Sequence, residues 1–229
     1  MKLKNVYRYP TTVRETIDGK RHYAIKSEKL PSVTTILSAT ESAEKREALA
    51  RWREAKGEEI ATRIVDESAA RGTAMHKILE KYILEEGYLD LTNVGRDAHN
   101  MAIRVIEQGL CNVPEYYGTE CTLYYPGLYA GQTDLVAIHK GKDAIIDFKQ
   151  TNKPKKREWI EDYCLQLAAY AMAHNFIYKT KIDKGVIMMC SKDNFYQEFV
   201  VEGKEFQKYQ HNFLRRVDEY YKSRSKKIG

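Results

Sequence analysis

Between Tyr116 and Gln150 the chain has few ways to fold, because three strand-like segments follow one another with only turns between them. Residues 119–125, 132–139 and 143–150 are rich in apolar, β-branched and aromatic side chains, and Pro126-Gly127 and Lys140-Gly141-Lys142 separate them. The third segment contains the apolar pair Ile145-Ile146, the mark of a strand buried in a core. A long helical segment at 157–178 follows, then strand segments at 184–190 and 195–201, and a last helix at 204–224. Three neighbouring strands followed by a packing helix specify an α/β sandwich.

The first half reads differently. Val13 to Ile25 alternates about Asp18-Gly19, a hairpin signal, and Pro31-Ser32 opens a short helix. Helices are expected at 41–56, 58–70, 74–86 and 94–110, with Gly57, the triplet Arg71-Gly72-Thr73 and Gly87 as interruptions. No linker separates the halves, so residues 1–229 are expected to form one domain: a hairpin and helical cap over 1–115 and a core over 116–229. Apolar residues make up 43% of the chain, enough for that core, yet no apolar run approaches the roughly 20 residues of a membrane span. The start, Met1-Lys-Leu-Lys-Asn5, lacks a signal-peptide segment, so a cytoplasmic monomer with no membrane partner is expected. Cys111, Cys121, Cys164 and Cys190 have no CxxC spacing and read as apolar core residues in a reducing compartment.

Chemistry concentrates in a few places. Asp147 and Lys149 sit two apart at the end of the apolar third strand and so share a face, with Phe148 on the other. Counting back through the turn at Gly141 brings Asp134 beside Asp147 across an antiparallel pair. Two adjacent carboxylates repel unless a cation lies between them, and oxygen ligands of this kind suit Mg²⁺ or Mn²⁺. A neighbouring lysine can orient or deprotonate a water, or stabilise charge on a phosphate. Glu120, on the first strand, reads as a further ligand or as a solvent-facing glutamate. His76, early in a helix, shares a face with Glu80, which by itself is an ordinary helix pair. Gln166 and Tyr170 lie on one helical face that Trp159 and Tyr163 extend, either as core or as a stacking surface. The net charge is +6, and Lys153, Lys155, Lys156 and Arg157 form a basic cluster just ahead of that helix. A second cluster, Lys222 to Lys227, reads as a solvated terminus.

Taken in order, Gly72 to His76, Gly131 to Asp134, Asp147 to Lys149 and Gln166 to Tyr170 resemble the GxxxH, GxxD, DxK and QxxxY motifs of the RecB-like branch of the PD-(D/E)XK nucleases. Leu30-Pro-Ser-Val-Thr-Thr-Ile-Leu37 is similar to the segment that opens the mitochondrial genome maintenance exonuclease family and its phage and bacterial relatives. The resemblance implies a restriction-endonuclease-like α/β (α+β) core, a mixed sheet flanked by helices beneath an N-terminal helical cap. It implies metal bound by His76, Asp134 and Asp147, and catalysis by Lys149 together with Asp134, Asp147 and Glu120. It carries no iron–sulfur cluster of the kind some relatives hold, since no cysteine follows Cys190 or precedes Cys111. The expected activity is a Mg²⁺- or Mn²⁺-dependent deoxyribonuclease acting at single-stranded DNA ends in replication, repair or recombination. Gln166, Tyr170, Tyr163 and the basic residues 153, 155, 156 and 157 would contact the DNA. A flap endonuclease on the same fold and a non-catalytic DNA-binding protein are the alternatives.

Overall fold

The N-terminal segment contributes β1 (Lys2–Leu3), and a three-stranded meander follows: β2 (Val13–Ile17), β3 (Lys20–Ile25) and β4 (Glu28–Pro31). These elements come from a computed structural model that describes residues 1–225; Lys226 and Lys227 of the basic tail lie outside the described residues. Four helices come next: α1 (Val33–Ala39), α2 (Ala43–Lys56), α3 (Glu58–Ile83) and α4 (Asn93–Gln108). The remainder runs β5 (Glu115–Tyr125), β6 (Tyr129–His139), β7 (Lys142–Thr151), α5 (Glu161–Tyr178), β8 (Lys184–Ser191), β9 (Tyr196–Glu202) and α6 (Gly203–Ser225).

Six strands form a mixed central sheet in the order β1-β5-β6-β7-β8-β9. β5, β6 and β7 are antiparallel neighbours, as their short turns require, whereas β7 and β8 are parallel because α5 carries the chain back across the sheet. β8 is buried along its whole length, which explains its nearly unbroken apolar run Gly185-Val-Ile-Met-Met-Cys190.

Alternation along the strands builds two cores. Leu135, Ile146, Phe148 and Met188 pack against Met75 and Leu79 of α3 and Met101 and Val105 of α4. On the other face Val136, Ile145, Ile187 and Met189 meet Leu167 of α5, Phe206 and Phe213 of α6, and Ile36 of α1. The architecture is therefore the expected one, a mixed sheet flanked by helices. Helices α3 and α4 do more than cap it, since they make up one of the two helical layers. Among the described residues no helix is long and apolar enough to cross a membrane.

Two local expectations need correction, and two short strands add to the expected elements. The helix break at Arg71-Gly72-Thr73 does not occur, and α3 runs through it. Arg71 is buried and its Nε donates to Gln150 Oε1 at 3.1 Å, while Nη2 donates to Asn152 Oδ1. At Gly72 a Cβ would come 3.2 Å from Gln150 Cγ. Glycine there allows the helix to approach the end of β7 closely, which decides its use over its helix-breaking tendency. Arg157–Trp159 forms a single 3₁₀ turn, so α5 begins later than the apolar pattern suggests. β1 and β4 have too few residues to show a period and are held by their sheet partners.

Candidate active site

The β6–β7 ladder runs from His139↔Lys142 to Leu135↔Ile146 and ends there. One step beyond lie Asp134 and Asp147. The Phe148 N–H points at a side chain instead of a strand and donates to Asp134 Oδ2 at 2.6 Å. Both aspartates are buried. Helix α3 places His76 over them, with Nδ1 3.2 Å from Asp134 Oδ1. Glu120 stands on β5 between the pairs Thr119↔Leu135 and Cys121↔Thr133, across from Asp134. Its φ is 51°, a left-handed conformation that a non-glycine residue holds inside a strand only when its surroundings impose it.

Donor atoms of His76, Glu120 and Asp134 all fall within 4.8 Å of one another. Asp147 is outside this group, because its Oδ2 lies 2.5 Å from Lys149 Nζ. That contact is an ion pair without hydrogen-bond alignment, so Asp147 Oδ2 is buried with no aligned donor. The structure thus draws Glu120 into the cluster and turns Asp147 toward Lys149, where the resemblance implied His76, Asp134 and Asp147 as the set.

Charges in the cluster act on one another. Burial, then Asp134, pushes the Glu120 carboxyl up to about 7. Burial also raises Asp147 above the ordinary carboxylate range, and Lys149 only partly offsets it. Asp134 moves the other way: burial would raise it, but His76, then Lys149 and the Phe148 N–H, hold it low. For His76 burial opposes the charge, yet Asp134 outweighs it and pushes the imidazole up to about 9. Burial likewise opposes charge on Lys149, and Asp147 and Asp134 keep it an ammonium. Crowded carboxylates with raised affinity for protons are what a cation site presents when only protons, His76 and Lys149 compensate it. Oxygen donors with one imidazole suit Mn²⁺ and Mg²⁺.

Helix α5 supports the lysine. Lys149 Nζ donates to Gln166 Oε1 at 3.4 Å and lies 5.0 Å from the centre of the Tyr163 ring. Gln166 Nε2 donates in turn to the Tyr170 hydroxyl at 3.1 Å. The Tyr170 ring rests on Gly131, where a Cβ would stand 2.5 Å from Cε1. Gly131 is thus a close-approach glycine and not a turn residue. Gly131→Ala is expected to push the Tyr170–Gln166–Lys149 chain out of line, lowering kcat by about ten-fold or more and stability by about 1–3 kcal/mol. Steady-state kinetics and thermal melting check it, and wild-type values for both would contradict this account.

The cluster is the floor of a cleft of about 980 Å³ whose walls include α3 and the β2–β3 hairpin. The basic stretch is elsewhere. Lys153, Lys155, Lys156 and Arg157 do not line the cleft. Arg157 Nη2 donates to both carboxylate oxygens of Glu205 at 2.7 and 2.8 Å, and the Lys155 N–H donates to Gln197 Oε1 at 2.8 Å. Lys156 lies over the ring of Trp159, 5.4 Å from its centre. These contacts tie the loop to β9 and α6, with the Arg157 guanidinium paired to Glu205. Arg14, Arg21 and Tyr23, which sequence reasoning passed over, line the cleft instead. The hairpin register about Asp18-Gly19 contained that signal, since it sets all three on one face.

Comparison with known proteins bears on this arrangement. No family model matches the chain. It is 29% identical over 208 residues to mitochondrial genome maintenance exonuclease 1 of Mus musculus, covering 86% of this chain and 60% of the mouse protein. It is 28% identical over 177 residues to the protein of the same name from Homo sapiens, covering 72% of this chain and 50% of the human one. The chain thus spans only about half to three-fifths of the length of these relatives. Among solved structures, a candidate exonuclease from Eubacterium rectale aligns with a TM-score of 0.48 at 14% identity, covering 67% of this chain and 64% of that one.

Proposed function

We propose that the chain is a metal-dependent DNA exonuclease that hydrolyses phosphodiester bonds at single-stranded ends, with residues 1–229 working as one nuclease domain. The carrying observation is the meeting of His76, Glu120 and Asp134 within 4.8 Å, beside Asp147 and Lys149, on the floor of an open cleft. Similarity to exonucleases over most of the chain supports the same reading.

In this reading His76, Asp134 and Glu120, with Asp147 beside them, would hold Mg²⁺ or Mn²⁺. Such an ion lowers the pKa of a bound water and neutralises charge developing on phosphate. The chain's own residues do the rest. Lys149, kept an ammonium by its two aspartates, donates to the attacking water and to a non-bridging phosphate oxygen. Gln166 and Tyr170 fix its direction. The Phe148 N–H keeps Asp134 turned inward. Water adds to phosphorus and gives up a proton to solvent, the P–O bond to the leaving sugar oxygen breaks, and that oxygen takes up a proton from solvent.

Linear and circular single-stranded DNA of the same sequence, each incubated with Mn²⁺, Mg²⁺ or chelator, provide the test. Release of short products from the linear form alone, abolished by chelator, is expected. Cutting of the circle would make the protein an endonuclease on the same fold, and full activity in chelator would overturn the metal assignment.

A further inference from the structure

The wall facing the carboxylates is the β2–β3 hairpin. Its register pairs Arg14 with Tyr23 and Thr16 with Arg21. Residues opposite one another in an antiparallel pair share a face, as do residues two apart, so Arg14, Arg21 and Tyr23 all project to one side. That side borders the cleft that Asp134, Asp147 and Lys149 also line. On the hairpin's other side Glu15 is paired with Lys29 at 2.8 Å. On the cleft side the cations are free. Both arginines are exposed, and among the described residues neither has a carboxylate within ion-pair distance. Arg14 lies beside the buried Tyr23, whose ring centre is 5.9 Å from its guanidinium carbon, and it is near enough to Glu120 to act on that carboxyl electrostatically.

Two unpaired guanidinium groups thus face a wall of carboxylates across open space. If the cleft were only a structural gap, closing it would let these charges meet. A polyanion together with the cation that the carboxylates would hold satisfies both walls, with one phosphate at that cation and its neighbours at the arginines. The geometry points to Arg14 and Arg21 as the pair that grips the non-scissile phosphates of the single strand beside the one being cut. Diagonal neighbours on a hairpin are about 7–8 Å apart at their Cα atoms, and a guanidinium reaches several ångströms further. The two can therefore hold adjacent phosphates, each through bidentate N–H···O bonds. The inference rests on the nuclease reading, but it assigns the grip to the hairpin and not to residues 153–157.

The test uses the full chain with Arg14→Ala/Arg21→Ala, Arg14→Lys/Arg21→Lys, and Lys155→Ala/Lys156→Ala/Arg157→Ala. Cleavage of an end-labelled single-stranded oligonucleotide gives kcat and KM at several salt concentrations. Fluorescence anisotropy of the same oligonucleotide on Asp147→Asn protein in chelator gives Kd without chemistry. For the double alanine variant we expect KM and Kd to rise about ten-fold or more, with kcat changed far less. The slope of log Kd against log salt should flatten by about 1.4, the value for two phosphate contacts on a single strand. The double lysine variant should restore the native salt slope but only part of the affinity, because lysine keeps the charge and loses the bidentate fork, and the triple variant should shift KM less than the arginine pair. Unchanged KM and Kd, an unchanged salt slope, no recovery by lysine, or a larger effect from the triple variant would each overturn the assignment. If the unaltered protein cleaves nothing with any metal, the nuclease reading fails, while the anisotropy measurement still decides whether these arginines hold DNA.

Discussion

With Asp147 replaced by asparagine, cleavage is expected to fall by roughly 10³-fold or more while the protein stays folded, since a transition-state contact of this electrostatic kind is worth that much. Asparagine keeps the shape but removes one charge from a place that gathers five acidic or basic groups, His76, Glu120, Asp134, Asp147 and Lys149. In the native chain burial already disfavours ionised Asp147, and Asp134 adds repulsion. Losing that charge therefore costs the metal-free fold little, because Lys149 keeps Asp134 nearby and Gln166 Oε1 as an acceptor. Melting in chelator should leave the variant within a few degrees of wild type. Melting with Mn²⁺ separates the two. A ligand that binds only the folded state stabilises it by about 2.7 kcal/mol at a hundred times its Kd, so wild type should gain several degrees and the variant much less. Equal gains from metal would remove Asp147 from the ion's surroundings. Wild-type cleavage by the variant would remove it from catalysis altogether.

The parts of this site that could be read in the sequence are those that local geometry determines. Asp147 and Lys149 share a face because strands have a period of two, and Asp134 reaches them because a turn of fixed length sets the register. Strands β5 to β9 and the helices between them follow from apolar periodicity alone. What could not be read is what depends on contacts between distant segments. Gly72 looks like a helix breaker until Gln150 is seen against it, about 80 positions away in the chain. Gly131 reads equally as a turn or as a close approach, and only the Tyr170 ring lying on it decides for the second. The ion pair of Arg157 with Glu205, and the bond from the Lys155 backbone N–H to Gln197, likewise join segments 48 and 42 positions apart in the chain and have no local signature. Glu120 stood as an even choice between ligand and surface residue, and its left-handed backbone beside Asp134 is a tertiary effect with no local signature.

Lys149→Ala makes the complementary case, because here chemistry and stability should both suffer. Loss of the ammonium removes the donor proposed for the attacking water and the phosphate, so kcat should drop by about 10²–10³-fold. DNA affinity should hold, since Arg14 and Arg21 sit on the opposite wall. Stability is the sharper test. Asp147 lies 2.5 Å from Lys149 and is buried, and its Oδ2 has no other aligned donor. Removing one partner of a buried pair leaves an uncompensated charge, at a cost of about 3–5 kcal/mol unless the carboxyl takes up a proton. For a chain of this size that corresponds to roughly 5–15 °C in Tm. Lys149 lowers the Asp147 pKa in the native chain, so its removal lifts that pKa further above the unfolded value. A carboxyl with a raised folded pKa stabilises the fold while protonated, and that contribution is lost as pH rises from the unfolded value through the folded one. The penalty of Lys149→Ala should therefore be small at pH 5 and largest above pH 7. Asp147→Asn in the Lys149→Ala background should recover most of the lost Tm at pH 8 but none of the cleavage. A loss of Tm independent of pH, or one that Asp147→Asn leaves untouched, would mean that Lys149 supports the fold through packing and not as the counter-charge of Asp147.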